Sequence, residues 1–342
     1  MNKIVLADNL AYLRSLPDAC VDMIYVDPPF STGKTQKRNR VKSIQTQDGN
    51  ITGFGGNKYV TESIKSASFE DTFDDFIGFI KPRMLEAYRV LKQDGSLFFH
   101  LDYREIHYCK VMLDGIFGRK SFINELIWSY DYGGKSKSRW SAKHDNILWY
   151  AKDPENYCFN YASIDRIPYM APDLVGPIKA ALGKIPTDAW FITIVPTNSK
   201  EKTGYPTQKP MKLLNRIMRV HSDPGDIVLD FFAGSGTTGM SAGSLGRDFI
   251  MVDQSPDAIN IMKLRLQSFN PEYVEFKEEI MLNKKTQDKA FHEDNVGHHH
   301  VYDSYIFQSA AGNGQLEIAC ECGDKIIIGS NCEEQPIKTY LN

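Results

Sequence analysis

The sequence predicts an α/β protein built on a doubly wound, mostly parallel sheet, with an inserted region and a small C-terminal appendage. Three observations carry that prediction. Short apolar runs alternate with stretches of helical period over most of the chain. Four of those runs stop at an aspartate: Asp8, Asp27, Asp230 and Asp253. After Asp230 comes Gly234-Ser235-Gly236-Thr237-Thr238-Gly239, a glycine loop leading from a strand into a helix.

Taken in order, Lys3 to Ala7 reads as a short strand and Asn9 to Leu16 as a helix with Leu10, Leu13 and Leu16 on one face. Val21 to Val26 is the next strand. Asp27-Pro28-Pro29 ends it, because neither a helix nor a central strand tolerates two successive prolines. Residues 31–68 are rich in Gly, Ser, Thr and Lys and read as a mobile loop. From Asp71 to Lys92, Phe73, Phe76, Ile77, Ile80, Met84, Tyr88 and Leu91 share a helical face, with a kink expected at Pro82. Asp94-Gly95 turns the chain into a strand, Ser96 to Leu101. A helix over 102–117 and strands near 122–129 and 145–151 follow. Over 152–205 prolines recur and periodicity fades, as in an insertion. A helix over 211–221 leads through Asp223-Pro224-Gly225 to a strand, Asp226 to Phe231, then the glycine loop, a helix and a strand, Phe249 to Val252. Ser255-Pro256 opens the last helix as cap and first-turn proline, with Ile259, Met262 and Leu266 facing inward. The expected divisions are 1–151, the insertion 152–205, 206–270 with the glycine loop, and an appendage 271–342 ending in short β-like runs such as Lys325 to Ile328.

At about 150 residues per domain, the 342-residue chain suggests two domains, or one large domain with an insertion. With 42% hydrophobic and 24% charged residues it is neither collagen-like nor disordered. No apolar run is long enough to span a membrane, and Asp8 interrupts any signal-peptide core. The six cysteines lack a regular framework and suit reduced thiols, so a cytoplasmic location is expected. A net charge of −3 argues against a module held on nucleic acid by overall charge, and leaves local basic faces open.

The glycine loop has the form G-x-G-x-x-G, and Asp253 follows about 20 residues on, at the end of the next strand. Glycines let a ligand approach the backbone, and a strand-end acid can hold ribose hydroxyls. Nicotinamide cofactors and S-adenosylmethionine both carry an adenosine ribose, so the loop alone fits either. Asp230 suits the cationic amino group of a methionine moiety and would repel a pyrophosphate. The tetrad Asp27-Pro28-Pro29-Phe30 sits at another strand end, on the edge where doubly wound sheets carry their ligand crevice. Asp27 and the Pro28 carbonyl can each accept a hydrogen from an exocyclic amino group, and Phe30 can stack on the base. A ligand-free proline turn after a strand-end acid has the same sequence.

Together, Asp27-Pro28-Pro29-Phe30 and Asp230-Phe231-Phe232-Ala233-Gly234-Ser235-Gly236-Thr237-Thr238 resemble the amino-methyltransferases of DNA. Thr207-Gln208-Lys209-Pro210 resembles the same family's cofactor-binding segment. The order of tetrad, insertion, Thr-Gln-Lys-Pro and glycine loop is similar to the β group, whose Rossmann-like methyltransferase fold is circularly permuted. The resemblance covers roughly residues 1–270. It implies S-adenosylmethionine as cofactor and direct methyl transfer to the amino nitrogen of a base flipped out of double-stranded DNA. It implies Asp27, Pro28, Pro29 and Phe30 as catalytic residues. The implied cofactor site comprises Thr207, Lys209, Asp230, Phe232, Ala233, Gly234, Ser235, Gly236 and Thr237, with Asp253 on the ribose. Asp8 falls near the cofactor's adenine by the resemblance, and reads equally as the N-cap of the following helix. Aspartate at the head of the tetrad resembles the adenine-N6 members, whereas serine is more typical of cytosine-N4 members. Phe30 stands where tyrosine is more usual, which leaves cytosine-N4 as the alternative. No metal and no covalent intermediate are implied, and the chain has no Pro-Cys pair of the cytosine-C5 type.

Two stretches contradict the acidic average. Residues 31–43 hold Lys34, Lys37, Arg38, Arg40 and Lys42 without an acid, and 133–143 hold Lys135, Lys137, Arg139 and Lys143 around Trp140. Lys34, Lys37, Arg38, Arg40, Lys135, Lys137 and Arg139 are expected to contact DNA phosphates, and sequence recognition is expected in 152–205. His298 to His300 with Cys320, Cys322 and Cys332 do not have a standard zinc spacing. The expected partner is double-stranded DNA. A cognate restriction enzyme and a second copy of the chain are further candidates, and no membrane is expected. Two other classes share parts of the pattern. An NAD-dependent oxidoreductase leaves both Pro-containing motifs unexplained, and a plain DNA-binding protein leaves the cofactor crevice unexplained. An RNA methyltransferase is the nearest rival among enzymes.

Overall fold

Strands β1 (Lys3–Leu6) and β2 (Val21–Val26) flank helix α1 (Asn9–Ser15), where the apolar runs place them. The computed structural model describes residues 1–31, 33, 36–45, 51–52, 58–69, 71, 73–196 and 198–277, and the short segments 306–308, 316–319 and 325–328. After the tetrad come β3 (Gln36–Gln45), β4 (Ile51–Thr52) and β5 (Lys58–Phe69), which form a separate antiparallel sheet in the order β3-β5-β4. The mobile loop expected over 31–68 is therefore corrected to strands. Gly53, Gly55 and Gly56 weight the composition there, but in sequence they fall between β4 and β5, and the polar-rich strands escape a hydrophobicity reading. The two ends of this excursion meet at Asp71, whose carbonyl accepts from Gly33 N (2.9 Å) and whose Oδ1 accepts from Ser31 N (2.7 Å).

Helix α2 (Phe76–Val90) begins later than its periodicity suggests, because the Asp75 side chain caps it by accepting from Gly78 N at 2.8 Å. Next come β6 (Leu91–Leu101), α3 (Ile106–Phe117), β7 (Phe122–Ser129) and β8 (His144–Ala151). The 152–205 region supplies α4 (Pro177–Leu182) and β9 (Ala189–Phe191). The last part runs α5 (Met211–His221), β10 (Ile227–Asp230), α6 (Thr237–Ser244), β11 (Asp248–Asp253), α7 (Pro256–Arg265) and β12 (Glu272–Glu275). Ser255 caps α7 by accepting from Ala258 N, and Pro256 fills its first turn, as the sequence predicts.

The main sheet has nine strands in the order β12-β1-β11-β10-β2-β6-β8-β7-β9. Only the two pairings made by β8 are antiparallel. Successive strand residues face opposite layers: Val5, Ile24 and Val26 pack with α1, α2 and α3, while Ile4, Met23 and Tyr25 pack with α5, α6 and α7. The doubly wound expectation is met, with helices on both faces. At one edge β9, from the 152–205 region, pairs with β7; at the other, β12 pairs with β1, so the sheet continues past residue 270. One compact unit spans Met1–Leu282, and a second, Asn283–Asn342, contains the antiparallel strands β13 (Ile306–Gln308), β14 (Leu316–Ala319) and β15 (Lys325–Ile328). His298 to His300 and Cys320, Cys322 and Cys332 lie outside the described residues. Among the described residues no helix is long and apolar enough to cross a membrane.

Candidate active site

The two signature motifs lie far apart in the chain but share one place in the sheet. Strands β2 and β10 are parallel neighbours, with Met23 opposite Val228 and Ile24 opposite Leu229. Their C-terminal ends therefore deliver the tetrad and the glycine loop side by side, about 5 Å apart across the ladder. A cavity of about 380 Å³ opens there. Its wall includes Asp27, Pro28, Pro29 and Phe30, then Thr207 and Lys209, then Asp230, Phe232, Ala233, Gly234, Ser235, Thr237 and Asp253.

On the loop side, Asp230 is fully buried and accepts from Phe232 N (3.0 Å) and Thr238 Oγ1 (2.6 Å). Burial pushes its carboxyl up to about 7 even against those hydrogen bonds. Asp253 is also raised by burial, while hydrogen bonds from Ser255 N and Gly234 N, both at 2.8 Å, pull the other way. Gly236 does not line the cavity. It starts α6 with a left-handed φ of 72°, and a Cβ there would meet Met262 Cγ at 2.7 Å, so it shapes the loop from behind. Arg265 ties the loop down by donating to Ser235 O (3.1 Å) and Thr237 Oγ1 (2.8 Å).

On the tetrad side, Lys209 reaches across the cavity to Asp27. Its Nζ donates to both carboxylate oxygens of Asp27 at 2.7 Å and lies 4.7 Å from the centre of the Phe30 ring. The residues ahead of it are held in place. Thr207 takes a left-handed φ of 57°, and Gln208 accepts from Thr203 N and Oγ1 and donates to Glu201 O. Lys209 thus stands between the two halves of the cavity and engages the tetrad directly.

Asp8 caps α1 by accepting from Ala11 N at 3.0 Å and does not line the cavity. It reaches the site through Arg83, 3.4 Å away, which lines the cavity and donates to Asn9 Oδ1 at 2.6 Å. Lys34 lies outside the described residues. Lys37, Arg38 and Arg40 fall on β3. Lys135, Lys137 and Arg139 are exposed on the loop joining β7 to β8, and Lys135 and Arg139 line a second cavity of about 330 Å³.

Sequence reasoning missed a buried chain behind the tetrad. The Tyr25 hydroxyl lies 2.6 Å from His100 Nδ1, His100 Nε2 lies 3.2 Å from Asp145 Oδ2, and Tyr130 donates to Asp145 Oδ1 at 3.2 Å. The His100 ring also packs 5.8 Å from Phe30 and so backs the stacking face. A lone histidine in the apolar strand Ser96-Leu97-Phe98-Phe99-His100-Leu101 is the sequence feature that marks a buried polar site there, without naming its partners. Tyr205, against Gly234 in the cavity wall, gave no such signal.

Comparison with known proteins agrees with this arrangement. A family model described as DNA methylase, of N6 and N4 type, matches residues 21–264. The chain is 31% identical over 276 residues to the DNA adenine methyltransferase YhdJ of Escherichia coli strain K12, covering 77% of this chain and 82% of that protein. It is 29% identical over 267 residues to the type II methyltransferase M.HpaI of Haemophilus parainfluenzae, covering 78% and 74%. Among solved structures, the cytosine-N4-specific PvuII DNA methyltransferase has the same fold, with a TM-score of 0.51 at 16% identity over 80% of this chain and 95% of that one. The M1.HpyAVI–SAM complex gives 0.50 at 21% identity over 78% and 99%. The tetrad and glycine loop that meet across β2 and β10 both lie within the matched residues, and the chain belongs to the DNA methylase family of N6/N4 methyltransferases.

Proposed function

We propose that this DNA methyltransferase transfers a methyl group from S-adenosylmethionine to the exocyclic N6 of adenine, in duplex DNA, after the base is turned out of the stack. One observation carries the reading: a single cavity holds an amino-group acceptor and a stacking ring at one end and, at the other, a glycine loop with the buried Asp230 and the half-buried Asp253. The residues fit the cofactor. Asp230 is a buried carboxylate able to take an ammonium, Asp253 ends the next strand where ribose hydroxyls would lie, and Gly234 leaves the backbone open to a ligand. When bound, S-adenosylmethionine supplies an electrophilic sulfonium methyl.

The chain's own residues then orient the nucleophile. Asp27 and the Pro28 carbonyl accept the two amino hydrogens, which leaves the nitrogen lone pair free to face the methyl, and Phe30 stacks on the ring. Lys209 occupies part of the acceptor capacity of Asp27, but a carboxylate offers about four lone-pair sites, so room for the amino hydrogen remains. Aspartate at the head of the tetrad and the likeness to an adenine methyltransferase support adenine. The type II designation of M.HpaI supports a cognate restriction enzyme as partner. Expression in a host without DNA methylation, followed by genome-wide mapping, tests the reading. N6-methyladenine at one short sequence is expected. N4-methylcytosine there overturns the base assignment, and methylation confined to RNA overturns the substrate.

Two further results are expected. Asp230 has its folded value, about 7, above that of an unfolded aspartate, so its contribution to stability is complete below about pH 4 and is lost as pH rises through about 7. Cofactor binding runs in the opposite direction, because the amino cation needs the carboxylate ionised. Affinity by calorimetry should weaken several-fold from about pH 7.5 to about pH 6, with proton release on binding, and Asp230→Asn should abolish that slope. Neutralising Lys37, Arg38 and Arg40 together should weaken DNA binding equally on all sequences. The log–log salt slope should fall by about 0.9 for each phosphate left without its cation, and sequence preference should survive. Titrations at several salt concentrations, with cognate and scrambled duplexes, read this out. An unchanged slope removes these residues from the interface.

A further inference from the structure

Trp140 is 99% exposed, whereas the chain's other three tryptophans, Trp128, Trp149 and Trp190, are 3%, 4% and 7% exposed. A fully hydrated indole at a loop tip has no role in the fold, and Lys135, Lys137, Arg139 and Lys143 surround it in sequence without an acid. The loop backbone on either side of the ring is braced. Ser136 N donates to Ser141 Oγ at 2.8 Å, Ser136 Oγ accepts from Ser138 N and Arg139 N, and Lys143 Nζ donates to Tyr132 O at 2.7 Å. Arg139 leans against Tyr103, donating to its hydroxyl at 3.4 Å.

Topology fixes which edge of the sheet carries this loop. Strand β6 is parallel to β2, and β7 and β6 are both antiparallel to β8, so the end of β7 points the same way as the end of β2. The Trp140 loop and the tetrad therefore share the C-terminal edge, three strand positions apart. Between the strand ends that is about 14 Å. Beneath the loop, the second cavity is lined by Arg104 paired with Asp102, and by Lys135, Arg139 and Lys143, whose remaining positive charge suits one anionic group.

We infer that Trp140 enters the base stack vacated when the target base turns into the tetrad cavity, while the cation-lined cavity beneath it seats a phosphodiester of the same duplex. The inference rests on the DNA reading above and names the part that reading lacks, a group that holds the duplex open. An indole offers a large planar face that replaces lost stacking whatever the neighbouring base, and the cations offset the charge of the strand drawn against it.

The test uses the full chain, the variants Trp140→Ala and Trp140→Phe, and synthetic duplexes carrying the mapped methylation site. Because the other tryptophans are buried, acrylamide quenching of intrinsic fluorescence reports Trp140. Duplex DNA should protect it. Single-turnover transfer to the matched duplex should fall about tenfold in Trp140→Ala and much less in Trp140→Phe, on the scale of one missing base–aromatic stack. A duplex mismatched at the target pair, whose base opens readily, should restore Trp140→Ala towards the wild-type rate. The inference is overturned if Trp140→Ala matches the wild type on the matched duplex, or if its deficit is the same on both duplexes. Wild-type protein that transfers no methyl to any duplex overturns the DNA reading itself and this inference with it.

Discussion

Asp27→Ala is expected to lower single-turnover methyl transfer by about a thousandfold, with cofactor affinity within a few-fold of wild type. The size follows from removing a preorganised acceptor in a partly enclosed site, which typically costs two to three powers of ten. The selectivity follows from position: Asp27 follows β2, while Asp230, Asp253 and the glycine loop belong to β10 and β11. Truncation also leaves the Lys209 ammonium, 9% exposed, without the carboxylate it pairs with, so Asp27→Asn belongs in the same series. Asparagine keeps one acceptor oxygen and should retain more activity. Radiolabelled transfer and calorimetric cofactor binding on one preparation decide the matter. Near-wild-type turnover in the alanine variant removes Asp27 from the reacting centre.

Lys209→Met should lower the rate of transfer by about a hundredfold while changing the cofactor dissociation constant far less. The motif resemblance points the opposite way, to a cofactor-side lysine whose loss weakens binding first. The tetrad-side reading is supported by geometry, since both Asp27 oxygens accept from Nζ and the same ammonium lies over the Phe30 ring. Methionine preserves the volume and removes the charge, so Asp27 loses the group that fixes its orientation. Measuring the rate of the bound complex separately from cofactor affinity tells the two apart: a large affinity loss with an intact rate would return Lys209 to the cofactor side. Arginine at this position should recover part of the rate, because it too can donate to both oxygens.

Much of this site was legible in the sequence for a definable reason. Tight strand ends must be written in prolines, glycines and aspartates, and those residues are conspicuous in any sequence. Asp27-Pro28-Pro29-Phe30 and the Gly234 loop therefore stood out, and the strands before them fell where their apolar runs placed them. Side-chain pairing across the fold was not legible. Nothing local to Lys209 announces that it will meet Asp27 from 182 residues away, or that His100 will lie between Tyr25 and Asp145. The β3-β5-β4 sheet was missed because amphipathic signals fade where the strands carry few large apolar residues. Asp8 had two sequence readings, and the capping geometry realises one of them directly.

Ser31, Gly33 and Asp71 clasp the neck of the excursion that carries β3, β4 and β5, immediately beyond Phe30. A clasped neck separates the history of what lies above it from the chemistry below. Lengthening a flexible connection costs little, roughly 0.6 kcal/mol for each doubling, so this excursion can grow, shrink or be exchanged wholesale while the tetrad stays in register. A change in the length or content of the excursion is then confined above one joint. Variation above that joint leaves the geometry of the tetrad below it unchanged.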